Sequence, residues 1–118
     1  MYKVVVAGGR DFSDYQLLKQ TLNYLLIHKL PNVEIVCGKA TGADTLGERY
    51  AKELGLSVAY FPADWTKHKK AAGPIRNREM AKYSDACVVF WDGASRGTKN
   101  MIDEATKEGI PVRVIRYS

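Results

Sequence analysis

The sequence predicts an α/β protein: a three-layer Rossmann-like sandwich with helices on both faces of a mainly parallel five-stranded sheet. Three observations lead there. Short apolar, β-branched runs alternate along the chain with stretches of helical periodicity. The connections between runs are long enough to hold helices of ten or more residues, which implies crossovers between parallel strands. The runs are apolar throughout, as in strands covered on both faces.

Val4–Ala7 reads as the first strand, ending at Gly8-Gly9. Ser13–Lys29 reads as a helix, opened by a Ser13/Gln16 capping box and carrying Leu18, Leu22, Leu25 and Leu26 on one face. Pro31 stops it. Val33–Cys37 is the second strand, ended by Gly38. The helix from about Asp44 to Leu54 turns Leu46, Tyr50, Ala51 and Leu54 inward, with Gly55 at its C′ position. Leu56–Phe61 is the third strand, followed by a long loop from Pro62 to Gly73. Pro74 suits the first position of a helix reaching Tyr83. Ala86–Trp91 is the fourth strand; Thr98–Glu108 is a helix closed by Gly109 and Pro111; Val112–Ile115 is the last strand.

The 118 residues suit one domain, 1–118, large enough to fold without disulfide or metal staples. With 46% hydrophobic and 26% charged residues, a disordered chain is excluded. Lys+Arg 18 against Asp+Glu 13 gives +5, a modest excess that suits an anionic partner or plain solubility. No apolar run reaches the roughly 20 residues of a membrane span, and the N-terminus enters a strand directly instead of a signal peptide. Cys37 and Cys87 sit in apolar strands, as buried reduced thiols of a cytoplasmic protein would. Neither they nor His28 and His68 form a metal-ligand spacing, so no metal or cofactor is expected.

In parallel sheets ligands bind beyond the C-terminal strand ends. Four such loops follow the strands here: Gly8-Gly9-Arg10-Asp11-Phe12, Gly38-Lys39-Ala40-Thr41-Gly42-Ala43-Asp44, Pro62-Ala63-Asp64-Trp65, and Asp92-Gly93-Ala94-Ser95-Arg96-Gly97-Thr98. Their glycines allow close backbone approach to a phosphate, and Gly42 and Gly97 stand where helices open with free N–H groups. Arg10, Lys39 and Arg96 add charge-assisted bonds. Neither the dinucleotide fingerprint nor the P-loop spacing is present. Asp44 suits a ribose hydroxyl or a helix cap, and Trp65 and Trp91 suit base stacking or rim packing. The basic stretch Trp65–Lys70, continued by Arg76 and Arg78, suits either a nucleic-acid track or a solvated loop.

Together these segments resemble the SLOG superfamily, in its YspA, cpYpsA-related branch. The resemblance rests on residues 6–12, on Gly42-Ala43-Asp44 with Tyr50-Ala51, on Phe61–Trp65, on Ala72–Asn77 with Glu79-Met80, and on Phe90–Gly93 with Gly97-Thr98 and Met101-Ile102. It implies a site for a nucleotide-derived ligand such as ADP-ribose or an NAD derivative, in proteins that sense or process signals in bacterial and phage conflict. It also implies the site residues: Gly8, Gly9, Arg10, Asp11, Gly38, Lys39, Gly42, Asp44, Trp65, Arg76, Asn77, Asp92, Gly93, Gly97 and Thr98.

Two neighbouring branches suggest alternatives. LOG-type phosphoribohydrolases carry an Arg that aligns with Arg76 and a Gly-Thr that aligns with Gly97-Thr98. Their glutamate falls on Met101, which cannot stabilise an oxocarbenium ion; Glu104, a turn further on, is the substitute candidate, beside Asp11, Asp44 and Asp92. The DNA-processing protein DprA, a single-stranded DNA binder, has a Gly-rich loop resembling Gly38–Asp44, with Gly where Lys39 stands here. The expectation is thus a small-molecule binding module, with a phosphoribohydrolase and a nucleic-acid binder as alternatives. Tyr24 and Ile27 on the first helix are candidates for packing on a second copy.

Overall fold

The computed structural model describes residues 1–38 and 41–117. Five strands, β1 (Tyr2–Gly8), β2 (Val33–Cys37), β3 (Ser57–Tyr60), β4 (Ala86–Trp91) and β5 (Val112–Arg116), form one sheet in the order β3-β2-β1-β4-β5. Every neighbouring pair is parallel, with Val4 opposite both Ile35 and Ala86. The chain builds outward from β1 to β3, then crosses back to β4 on the other side. That reversal puts a topological switch point between β1 and β4, where open α/β sheets carry their ligand crevice.

Strand alternation sends Val4 and Val6 to one face and Val5 and Ala7 to the other. The first face is covered by α1 (Tyr15–Leu25) through Leu18 and Leu22, and by α2 (Ala43–Leu54) through Tyr50 and Ala51. After a short α3 (Trp65–His68), the second face is covered by α4 (Ala72–Tyr83) through Met80 and Ala81, and by α5 (Arg96–Lys107) through Met101 and Ala105. Burial raises the Cys87 thiol to about 12, so it is a packing residue. Tyr24 projects from α1 and Ile27 from the turn after it, 77% and 65% exposed. No described helix is long and apolar enough to cross a membrane.

Several boundaries differ from expectation, each for a local reason. The first helix starts at Tyr15, because Asp14, not Ser13, accepts the Leu17 N–H at 3.0 Å and serves as the cap. It ends at Leu25, and turns lead from there to Pro31. Residues 62–73 are not one loop. Asp64 accepts the Lys67 N–H and starts α3, a 3-10 turn follows over Lys69–Ala71, and α4 begins at Ala72. Pro74 is therefore the third helical residue, where a missing N–H also costs nothing. The last helix begins two residues early, at Arg96, because the Ser95 hydroxyl accepts the Thr98 N–H. It ends at Lys107, one residue earlier than expected. Coverage on both faces holds for β1, β2 and β4, whereas the edge strands β3 and β5 are half-exposed.

Candidate functional site

The loops beyond the strand ends enclose a crevice of about 640 Å³ at the β1/β4 switch point. β1 supplies Gly8 and the loop after it Gly9, Arg10 and Asp11; α2 supplies Asp44; α3 supplies Trp65. The β4–α5 loop and the first turn of α5 supply Asp92, Ser95, Arg96, Gly97 and Thr98, and α4 supplies Arg76 and Asn77. A second cavity of about 300 Å³ lies beside it, lined by Gly38, Thr41, Pro62 and Ala63 and sharing Arg10, Trp65 and Arg76 with the first.

Arg76 is the most tightly placed cation. Its Nη1 donates to the Gly38 carbonyl at 2.6 Å and its Nε to Asn77 Oδ1 at 2.9 Å. Burial lowers its pKa, the Asp44 charge opposes that shift, and the Arg10 charge adds to it. Asn77 is locked in turn by donating to Asn100 Oδ1 at 2.9 Å. Asp44, 5% exposed, accepts the Gly38 N–H at 3.1 Å. Gly38 is glycine for a packing reason: a Cβ there would overlap the Arg76 guanidinium. The β2 end thus holds an arginine and an aspartate in fixed relation at the crevice wall.

Arg10 is exposed on a loop held from two sides. Tyr117, just past β5, donates from its hydroxyl to Asp11 Oδ1 at 2.8 Å and packs on Phe12, with ring centroids 4.9 Å apart. Burial, then the Asp11 bond, raises the Tyr117 hydroxyl to about 12, so it stays a donor. On the other side Gly42 reaches φ +73, and Ala43 N–H donates to the Gly9 carbonyl at 3.3 Å. A Cβ at Gly42 would overlap that carbonyl and lie 2.7 Å from the Arg10 carbonyl carbon.

Asp92 is spent on loop shape. Its Oδ1 accepts the N–H groups of Ala94 and Ser95, both at 2.8 Å, and these bonds hold its pKa below the ordinary carboxylate value. Gly93 and Trp91 lie under Arg116, whose guanidinium stands 5.4 Å from the Trp91 ring. Gly97 differs from the other site glycines. It occupies the first turn of α5, where glycine is a poor helix former, and a Cβ there would meet nothing within 4 Å. The N–H groups of Arg96 and Gly97 have no intrahelical acceptor at that position and border the crevice.

Of the fifteen candidate site residues given above, eleven line the larger cavity, Gly8, Gly9, Arg10, Asp11, Asp44, Trp65, Arg76, Asn77, Asp92, Gly97 and Thr98, and Arg96, singled out as a cation, lines it too. Gly38 lines the smaller one. Gly42 and Gly93 shape loops from behind, and Lys39 lies outside the described residues. Glu104 is not brought to the crevice: it is 5% exposed, its Oε1 lies 3.4 Å from Arg78 Nε, and Met101 occupies the wall. Sequence reasoning missed Asn100, Arg116 and Tyr117. The last two follow directly from the strand-end rule once it is applied to β5.

Comparisons with known proteins fit this architecture. A family model described as YspA, cpYpsA-related SLOG family matches residues 2–68, more than half of the chain. The Gene 61 protein of Mycobacterium phage D29 is 37% identical over 119 residues, covering 95% of this chain and 94% of that protein. Among solved structures, the DNA processing protein A of Streptococcus pneumoniae superposes with a TM-score of 0.78 at 21% identity, over 99% of this chain and 50% of that one. DNA processing protein A of Helicobacter pylori, whose structure is described in terms of a single-stranded DNA binding mode, superposes with a TM-score of 0.70 at 19% identity, over 99% and 66%. At these identities the two structures show the shared fold.

Proposed function

We propose, for a chain that belongs to the YspA, cpYpsA-related SLOG family, that the crevice at the β1/β4 switch point binds a nucleotide-derived small molecule. The observation that carries this reading is the meeting of Arg10, Arg76 and the opening turn of α5 around one cavity of about 640 Å³. That volume lies within the usual range for small-molecule sites, about 300–1,000 Å³. The cations and free N–H groups suit phosphate. Trp65, 53% exposed at the rim, offers a face for a base.

A binding role suits the site better than hydrolysis. Cleaving a glycosidic bond needs a carboxylate at the anomeric carbon. Asp11, Asp44 and Asp92 each accept a hydrogen bond that holds a loop in place, and Glu104 lies away from the cavity.

Thermal unfolding with AMP, ADP, ATP, NAD and ADP-ribose tests the proposal. A nucleotide at about 100 times its dissociation constant stabilises by about 2.7 kcal/mol, several degrees in a chain of this size. Arg10→Ala should leave the free protein within about 0.5 kcal/mol of wild type, since the residue is exposed. It should also remove most of the shift. An unaltered shift in Arg10→Ala places the ligand elsewhere.

A second reading, single-stranded nucleic acid, is favoured by the exposed Lys67, Lys69 and Lys70 beside Trp65. Charge next to a stacking ring is how such strands are held, and the H. pylori neighbour is described by that activity. This reading expects oligothymidine affinity to fall steeply between 50 and 200 mM salt, at roughly those concentrations where counterion release dominates. Flat affinity removes it.

A further inference from the structure

We propose that the outward flank of α1 is a docking surface for a second copy of this chain, with the two α1 helices packed antiparallel across a twofold axis. α1 differs from the other long helices in charge. Its eleven residues include one charged side chain, Lys19, whereas α2 and α5 carry five each and α4 carries four. A helix face left in water is normally the charged one.

α2 occupies only one flank of α1. Tyr15 donates to Glu53 at 2.6 Å, Lys19 lies 3.8 Å from the same carboxylate, and Asn23 Oδ1 accepts from the Tyr50 hydroxyl at 2.7 Å. These contacts take up the one charge of the helix. Helical spacing puts Leu17, Gln20 and Tyr24 on the other flank, with Gln16 beside them and Ile27 just beyond the helix end. None of the five is charged. Tyr24 and Ile27 are the two most exposed large apolar side chains among the described residues.

The ends of this stripe select a second copy as the occupant. Asp14 stands at its start, and His28 and Lys29 follow its end; all three are exposed. A twofold axis across α1 lays the helix antiparallel to itself. Asp14 of one copy then faces Lys29 of the partner subunit, and the same pairing recurs at the other end. The helix dipoles are opposed as well, which is their favourable sense. In a chain of net charge +5, copies repel where cations face each other, and this flank presents none between its ends. Eleven residues make about 16 Å of helix, a patch at the small end of specific interfaces, so the dimer is a reversible one. α1 starts beside the crevice and runs away from it, so the twofold puts the two crevices at opposite ends and leaves both open.

Sedimentation equilibrium of the full chain at up to about 100 μM tests the proposal. The mass is expected to rise from one chain toward two, with a dissociation constant of about 100 μM or lower. Tyr24→Glu puts a charge into the contact and should hold the protein monomeric at every concentration. The residue is 77% exposed, so the variant should fold, which circular dichroism checks. Gln20 lies at the middle of the stripe beside the axis, so a charge there meets its own copy. Gln20→Lys and Gln20→Glu should each dimerise at least about tenfold more weakly, and an equal mixture of the two should recover the dimer. A wild-type monomer throughout overturns the proposal, in favour of a different protein on this flank. Unchanged dimerisation in Tyr24→Glu and in both Gln20 variants places the interface elsewhere. A mixture no better than its components overturns the antiparallel twofold.

Discussion

Replacing Arg76 with alanine is expected to weaken nucleotide binding by about 100-fold or more and to cost about 1–3 kcal/mol of stability. The first effect follows from position. Arg76 lines both cavities, and its guanidinium is fixed before any ligand arrives. Little ordering entropy is then lost on binding, which is where a preorganised donor gains its advantage. The second effect follows from the groups it leaves. The Gly38 carbonyl loses its 2.6 Å donor, Asn77 Oδ1 loses Nε, and the mostly buried Asp44 loses the nearby guanidinium charge. Arg76→Lys retains charge without the planar fork and should fall between wild type and alanine in affinity. Calorimetric titration with ADP-ribose reads the first effect and urea unfolding the second. Wild-type affinity in Arg76→Ala would show that the phosphate is held elsewhere.

Gly42→Ala is expected to be the most damaging glycine substitution in the site, at about 2–5 kcal/mol. Two costs add. A φ of +73 strains any residue with a Cβ, and the new methyl would overlap the Gly9 carbonyl and crowd Arg10. Gly55 provides the control, because its φ is +69 yet a Cβ there meets nothing within 4 Å. Gly55→Ala carries only the backbone strain, about 1–2 kcal/mol. The difference between the two variants in urea unfolding measures the docking of the β2–α2 loop on the β1 loop. Since that docking aims Arg10, Gly42→Ala should also lose ADP-ribose binding where it still folds. Equal costs at Gly42 and Gly55 would mean that the two loops are not locked together.

The element order was legible because the strands are unusually uniform. Val4–Ala7 and Ala86–Trp91 are apolar without interruption and Val33–Cys37 is broken only by Glu34, and these are the three inner strands. Boundaries were less legible where two residues compete for one role. Ser13 and Asp14 both can cap a helix, and only the chain path selects Asp14. The four-residue α3 is too short to show periodicity, although Asp64 was available as its cap. Edge-strand exposure was also hidden, since β3 and β5 alternate weakly in sequence.

Within the site, the glycine-rich loops were legible as a group, but their individual duties were not. Gly42 also makes a loop-to-loop contact, and Asp92, which lines the larger cavity, also shapes its own turn. Tyr117 and Asp11 meet across 106 positions, and spacing carries no trace of such a pair. Where Arg76 points is fixed by the Gly38 carbonyl, 38 residues away, and sequence spacing carries no sign of that bond.

Gly97 offers the most direct measurement of whether the crevice is a nucleotide site. Its first-turn position in α5 disfavours glycine, and nothing in the described chain needs the space that a Cβ would take. Parallel calorimetric titrations of ADP-ribose into wild type and Gly97→Ala, with thermal unfolding of each free protein, separate fold from ligand. Gly97→Ala is expected to be as stable as wild type or more so, by up to about 1 kcal/mol, and to bind at least about tenfold more weakly. Equal affinity in the two proteins, or no binding by wild type of any nucleotide tested, would contradict it.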